Sequence, residues 1–145
     1  MKPCTETAAK TWAQLVRVEQ ALLASVEAEL KTAGFPPLAW YDALLELSRA
    51  PGGHMRPLDL EAAMLLPQYS TSRLIDRLVK AGYAVKKTCP VDGRGQFVEI
   101  TAAGKKLREK MWPSYSAAIE RHVGAKLSRE DVSKLGDLLA KLIRT

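Results

Sequence analysis

Apolar positions along this 145-residue chain recur at helical spacing over most of its length, and at strand spacing in one short region. Trp12, Leu15, Val16, Leu22, Leu23, Val26 and Leu30 form one stripe and predict a helix from about Thr7 to Ala33. Gly34 and the pair Pro36-Pro37 end it. Tyr41, Leu44, Leu45 and Ser48 share a face of a second helix, about Leu38 to Arg49. The stretch "APGGHM" reads as a loop by composition. A short third helix is predicted from Pro57 or Leu58 to about Leu65, with Pro57 suited to its first turn. After a tight break at "LLPQYS", a fourth helix covers about Gln68 to Ala81 and stops at Gly82.

The period then changes. "YAVKK" and "QFVEI" read as two strands, since Val98 and Ile100 alternate with Phe97 and Glu99. The "TCPVDGRG" between them is longer than a two-residue turn, so the predicted hairpin has an extended tip. Thr101 is placed to cap a fifth helix, Ala102 to about Val123, with Leu107, Met111, Tyr115, Ala118 and Ile119 as its stripe. Pro113 falls inside that helix and predicts a kink or a break. Ser128 caps a last helix, whose apolar side holds Val132, Leu135, Leu138, Leu139, Leu142 and Ile143. The order is four helices, a hairpin and two helices, without internal repeats.

Composition narrows the function classes. Charged residues are 26% and apolar ones 47%, ordinary for a chain that buries a core. No apolar run is long enough for a transmembrane helix, and the N-terminus lacks an apolar signal core, so a cytoplasmic protein is expected. Two cysteines and two histidines make neither a disulfide framework nor a metal-ligand set, and no cofactor is expected. No nucleophile–base pair is visible, and "DGRG" lacks the lysine of a phosphate-binding loop, so an enzyme is not expected.

The net charge of +6 is unevenly placed. Between Pro67 and Lys110 stand ten basic residues and four acidic ones, which accounts for the whole excess within one third of the chain. A localised excess points to a polyanionic partner. The third and fourth helices make a helix-turn-helix candidate, whose second helix would enter the major groove of double-stranded DNA. Its leading side chains are Gln68, Ser70, Thr71, Ser72 and Arg73, short polar groups and a guanidinium fork suited to base edges and phosphates. Arg77, one turn on, is placed for a phosphate. The hairpin that follows reads as a wing. Lys86 and Lys87 face opposite ways on its first strand, and Arg94 stands at the tip between Gly93 and Gly95, with Asp92 placed to steady it. An arginine so presented suits the negative potential of a narrow minor groove.

The run "SRLIDRLVKAGYAVKKTCPVDGRGQFVEITAAGKKL" resembles the recognition helix and wing of the MarR family of bacterial transcription factors. The matching elements are Ser72-Arg73-Leu74, Asp76-Arg77-Leu78, Gly82, Pro90, Asp92-x-Arg94, and Thr101 with Gly104. The resemblance implies a mainly α fold with a small β-hairpin wing: a winged helix-turn-helix with N- and C-terminal dimerisation helices. The corresponding spans are 1–35, 36–102 and 103–145. It implies a homodimeric repressor on a pseudo-palindromic operator, with recognition helices roughly 34 Å apart. The apolar stripes of the first and last helices, too wide for the central module to cover, agree with a dimer. Two departures stand in the turn before the recognition helix. Leu65 and Pro67 occupy places where the family often has a glycine and a serine-like cap, and Tyr69 is bulkier than the usual small residue.

The resemblance further implies release from DNA by a small aromatic or phenolic ligand, for which Trp12, Trp40, Tyr41 and Trp112 are the candidate pocket. Cys89, beside Lys86, Lys87 and Arg94, is a candidate redox thiol, because neighbouring cations lower a thiol's pKa. The alternatives left open are a thiol-based sensor working through Cys89, and a winged-helix module used for protein–protein contact.

Overall fold

The computed structural model describes residues 1–88 and 95–143. Six α-helices surround a small antiparallel sheet: α1 (Glu6–Thr32), α2 (Leu38–Arg49), α3 (Pro57–Ala63), α4 (Thr71–Lys80), α5 (Ala102–His122) and α6 (Arg129–Leu142). The strands are β1 (His54–Met55), β2 (Ala84–Thr88) and β3 (Gln96–Ile100), in the order β1-β3-β2. Val98 of β3 pairs with Lys86 of β2 on one side and Met55 of β1 on the other. Leu30, Leu44, Leu47, Leu60, Leu78, Val98 and Met111 are fully buried, so α1 to α5 and the sheet each contribute to one core. Burying a side chain of this size contributes about 1.5–3 kcal/mol.

The element order follows the apolar pattern, and the departures have local causes. The stretch predicted as a loop before α3 contains β1, whose two residues are too few for alternation to show. Helix α5 runs through Pro113 without a break. Its ring removes one donor, yet Met111 and Ala118 on either side are held in the core. Helix α3 ends at Ala63, and α4 starts at Thr71, three residues later than expected. The intervening turn is spoken for. Asp42, on α2 and only 4% exposed, accepts hydrogen bonds from the backbone amides of Leu65 (3.0 Å) and Leu66 (2.7 Å). Gln68 donates its side-chain amide to the carbonyls of Leu66 and Pro67, and Ser70 caps α4 by accepting from the amide of Arg73 at 3.2 Å.

Other polar groups set the angles between elements. Glu27 of α1 accepts from the amide of Leu38, supplying the cap that Pro37 lacks at the start of α2. Glu29 of α1 binds Arg121 and His122 at the end of α5. Partial burial pushes the Glu29 carboxyl upward, but the hydrogen bonds from His122 and Arg121 prevail and hold it below its ordinary 4.5. Thr101 caps α5 by accepting from the amide of Gly104, and its hydroxyl donates to the carbonyl of Gly82 at 2.7 Å. The end of α4 is thereby tied to the start of α5 across the base of the hairpin. At Gly104 a Cβ would stand 2.2 Å from the carbonyl oxygen of Tyr83 and 2.9 Å from Ile100, so only glycine fits.

The apolar face of α6 lies outside this core. Val132, Leu135, Leu138, Leu139 and Leu142 are all exposed, and no residue of the helix is buried. Trp12 and Val18, on the first half of α1, are exposed too.

Two substitutions test these constraints. Asp42→Ala leaves two part-buried amides without their acceptor and should cost about 1–3 kcal/mol in urea unfolding, with faster hydrogen exchange at Leu65 and Leu66. An unchanged midpoint and unchanged exchange would remove Asp42 from the account. Gly104→Ala forces backbone apart and should cost about 1–3 kcal/mol; wild-type stability would show that α5 can shift freely against the turn before β2.

Candidate nucleic-acid interface

Helix α4 has two unlike faces. Thr71, Leu74, Ile75 and Leu78 are buried, spaced as one helical stripe, while Ser72, Arg73, Asp76, Arg77 and Lys80 face solvent. Arg73 and Arg77 have no ion-pair partner among the described residues. The strand face beside α4 adds Lys86, whose ammonium sits 2.5 Å from the carboxylate of Asp76. Lys87, on the opposite face of β2, pairs with Glu99 of β3 at 2.7 Å. The Lys87 hydrogen bond holds the Glu99 carboxyl below its usual range. Strand alternation thus sends the two lysines to different sides, and only Lys86 joins the α4 surface.

A cleft of about 400 Å³ separates the start of α4 from the sheet and the start of α3. Leu58, Tyr69, Ser70, Ser72, Lys86 and Gln96 are among the residues that line it. It is open, and its charged lining residues are Lys86 and Glu61.

The residues expected to read DNA divide accordingly. Ser72, Arg73, Arg77 and Lys86 are brought to one exposed surface. Thr71 is not; it is 6% exposed, and its hydroxyl is buried without a hydrogen-bond partner among the described residues. Its place in the stripe with Leu74, Ile75 and Leu78 explains this, since α4 begins later than predicted and Thr71 belongs to its inner face. Ser70 spends its hydroxyl on the α4 cap, and Gln68 is turned back onto the preceding turn. Lys87 faces away. Cys89, Asp92 and Arg94 lie outside the described residues.

The aromatic residues proposed as one pocket do not form one. Trp12 is 69% exposed on α1, and Trp40 packs edge-on against Tyr83 with ring centroids 6.0 Å apart. Tyr41 and Trp112 do meet, at 6.2 Å, and both contact Tyr115. Beside this cluster a cavity of about 240 Å³ is lined by Tyr41, Asp42, Leu45, Arg49, Leu66 and Tyr115, among others. Burial, with the charge of Asp42 and the neighbouring Tyr41, raises the Tyr115 hydroxyl above the ordinary 10 of a phenol. Sequence reasoning missed Asp42. Its signal was a carboxylate placed on the same helical stripe as Leu38 and Leu45, where only a paired charge is tolerated.

Residues 33–95 match the model of the MarR family. No curated protein matches the chain. Among solved structures, AbsC, a MarR family transcriptional regulator from Streptomyces coelicolor, aligns with a TM-score of 0.81 at 29% identity, covering 98% of this chain and 95% of its own. Sco3205 from the same organism, a MarR family transcriptional regulator in complex with DNA, gives a TM-score of 0.86 at 22% identity, over 98% of this chain and 89% of its own. Bordetella bronchiseptica BpsR, whose DNA binding is regulated by 6-hydroxynicotinic acid, gives 0.82 at 21% identity over 99% of both chains. At these identities the latter two speak for the fold alone. Residues 33–95 thus carry the sequence pattern of the MarR family, and nearly the whole chain has the winged helix-turn-helix fold of AbsC.

Proposed function

We propose that the chain is a sequence-specific reader of double-stranded DNA, acting in the cytoplasm as a homodimeric repressor on a pseudo-palindromic operator. One observation carries this reading: the exposed face of α4 presents Ser72, Arg73 and Arg77 beside Lys86 of the wing, and the stability of the module does not need those side chains. Arg73 is one turn from the helix start, where a guanidinium reaches base edges, and Arg77 one turn further reaches phosphate. The Lys86–Asp76 pair is exposed and worth under about 1 kcal/mol, so exchanging Asp76 for a phosphate costs little. The pattern Asp92-x-Arg94 adds the wing tip on the strength of the family resemblance. The DNA complex of Sco3205 supports the same use of the same fold.

The homodimer rests on α6 and the start of α1. Leu135, Leu138 and Leu139 of α6 and Trp12 of α1 expose apolar surface that a second copy of the chain would cover. Residues 36–102 then form the reading module, and 1–35 with 103–145 the dimer region. Release by a small aromatic or phenolic ligand follows the precedent of BpsR, and the cavity beside Tyr41 and Tyr115 is the place for it here. Its wall includes Asp42, so an occupant would act directly on the residue that holds the turn before α4.

The test is titration of the purified protein against its preferred duplex over a range of salt. Arg77→Ala should lower the slope of log K against log salt by about 0.9 for each phosphate that the arginine neutralises, and Arg73→Ala should cost about 1–3 kcal/mol of discrimination. Unchanged affinity and slope in both variants would exclude α4 as the reading helix. Sedimentation should give a dimer, and Leu135→Glu with Leu139→Glu a folded or partly folded monomer; a dimer that survives both changes would place the interface elsewhere.

A further inference from the structure

Tyr69 stands 100% exposed immediately before the cap of α4. Its position has an ordinary structural use that this chain leaves unfilled. An apolar residue preceding a helix cap commonly packs against the fourth helical residue, stapling the chain as it enters the helix. Here the fourth helical residue is Leu74, which is buried, while the ring of Tyr69 is fully in solvent. The Tyr69 hydroxyl makes no hydrogen bond among the described residues. Neither end of the side chain contributes to folding.

The surroundings say what covers it. Tyr69 lines the cleft between the starts of α3 and α4 and the wing, together with Leu58, itself 77% exposed, and with Glu61, Ser72, Lys86 and Gln96. The apolar rim lies beside the exposed face of α4 that carries Arg73 and Arg77, which outweigh Glu61 of the cleft, and a polyanion that also offers small apolar groups fits both. Duplex DNA does so in its major groove, where the C5-methyl of thymine is the one apolar group on a base edge.

The geometry points to Tyr69 as a specificity-determining residue: its exposed ring, at the rim of the same cleft as Leu58, meets a thymine methyl in each half-site, adding preference for thymine over cytosine at a base pair next to those read by Arg73. This inference rests on the DNA-reading function proposed above and adds a contact that the recognition helix itself does not supply.

The experiment replaces each thymine of the duplex selected by the protein, in both half-sites together, with deoxyuridine, which lacks only the methyl group. Wild type should lose about fourfold in affinity per half-site at one position and nothing at the others. Tyr69→Ala should bind more weakly and be indifferent to deoxyuridine at that position. Tyr69→Phe should keep the full methyl sensitivity, because the ring makes the contact. The residue is fully exposed, so both variants should melt with the wild type. Wild-type protein indifferent to every deoxyuridine, or Tyr69→Ala retaining the wild-type sensitivity, overturns the inference and leaves DNA reading intact. Tyr69→Phe behaving as Tyr69→Ala would assign the contact to the hydroxyl and equally overturn it. Absence of any duplex binding by wild type would instead remove the DNA-reading function and this inference with it.

Discussion

A single buried carboxylate holds the start of α4 in place. Asp42 reaches from α2 to the turn after α3 and takes up the amides of Leu65 and Leu66, which no secondary structure would otherwise satisfy. The turn carries Pro67 and no glycine, so its path is not set by a left-handed residue of the kind that usually bends a helix-turn-helix. The clamp supplies that bend from outside. Because the turn ends at the Ser70 cap, the clamp also sets where α4 begins and which residues its outer face presents. The same carboxylate forms part of a cavity wall with Tyr41 and Tyr115.

Around that anchor, polar groups that build the module and polar groups that face outward are different groups. Ser70, Thr101 and Ser128 cap helices, and Gln68 closes a turn. Ser72, Arg73 and Arg77 do none of this. Lys86 is intermediate, held by a weak exposed pair that a phosphate can replace. A stable module alone does not account for an excess of six positive charges confined to one third of the chain. A surface left unpaired by the fold and concentrated on one side does.

Much of this was legible in the sequence, because helical and strand periods report burial directly. The caps at Thr101 and Ser128, the stop at Gly82 and the alternation of β3 all came through. The phase of α4 did not. Starting the helix at Gln68 made Thr71 an outward reader, although its spacing to Leu74, Ile75 and Leu78 already marked it as inner. The clamp that delays the helix comes from a residue far back in the chain, and no local pattern contains it. The helical spacing of Trp12 and Trp112 read as core, yet both are exposed, and which aromatics meet is a matter of tertiary placement. Tyr41, Trp112 and Tyr115 converge, while Trp12 and Trp40 go elsewhere. β1 was too short to carry a period, and Asp92 and Arg94 of the wing tip rest on the sequence pattern.

The central claim is that this surface reads DNA sequence as a symmetric pair. Selection of binders from random double-stranded DNA at near-physiological salt tests it most directly. A symmetric pair of reading helices predicts a pseudo-palindrome with half-site centres about one helical turn, roughly 34 Å, apart. Binding without any preferred sequence, falling steadily as salt rises, would contradict it and leave only a basic patch that holds phosphate.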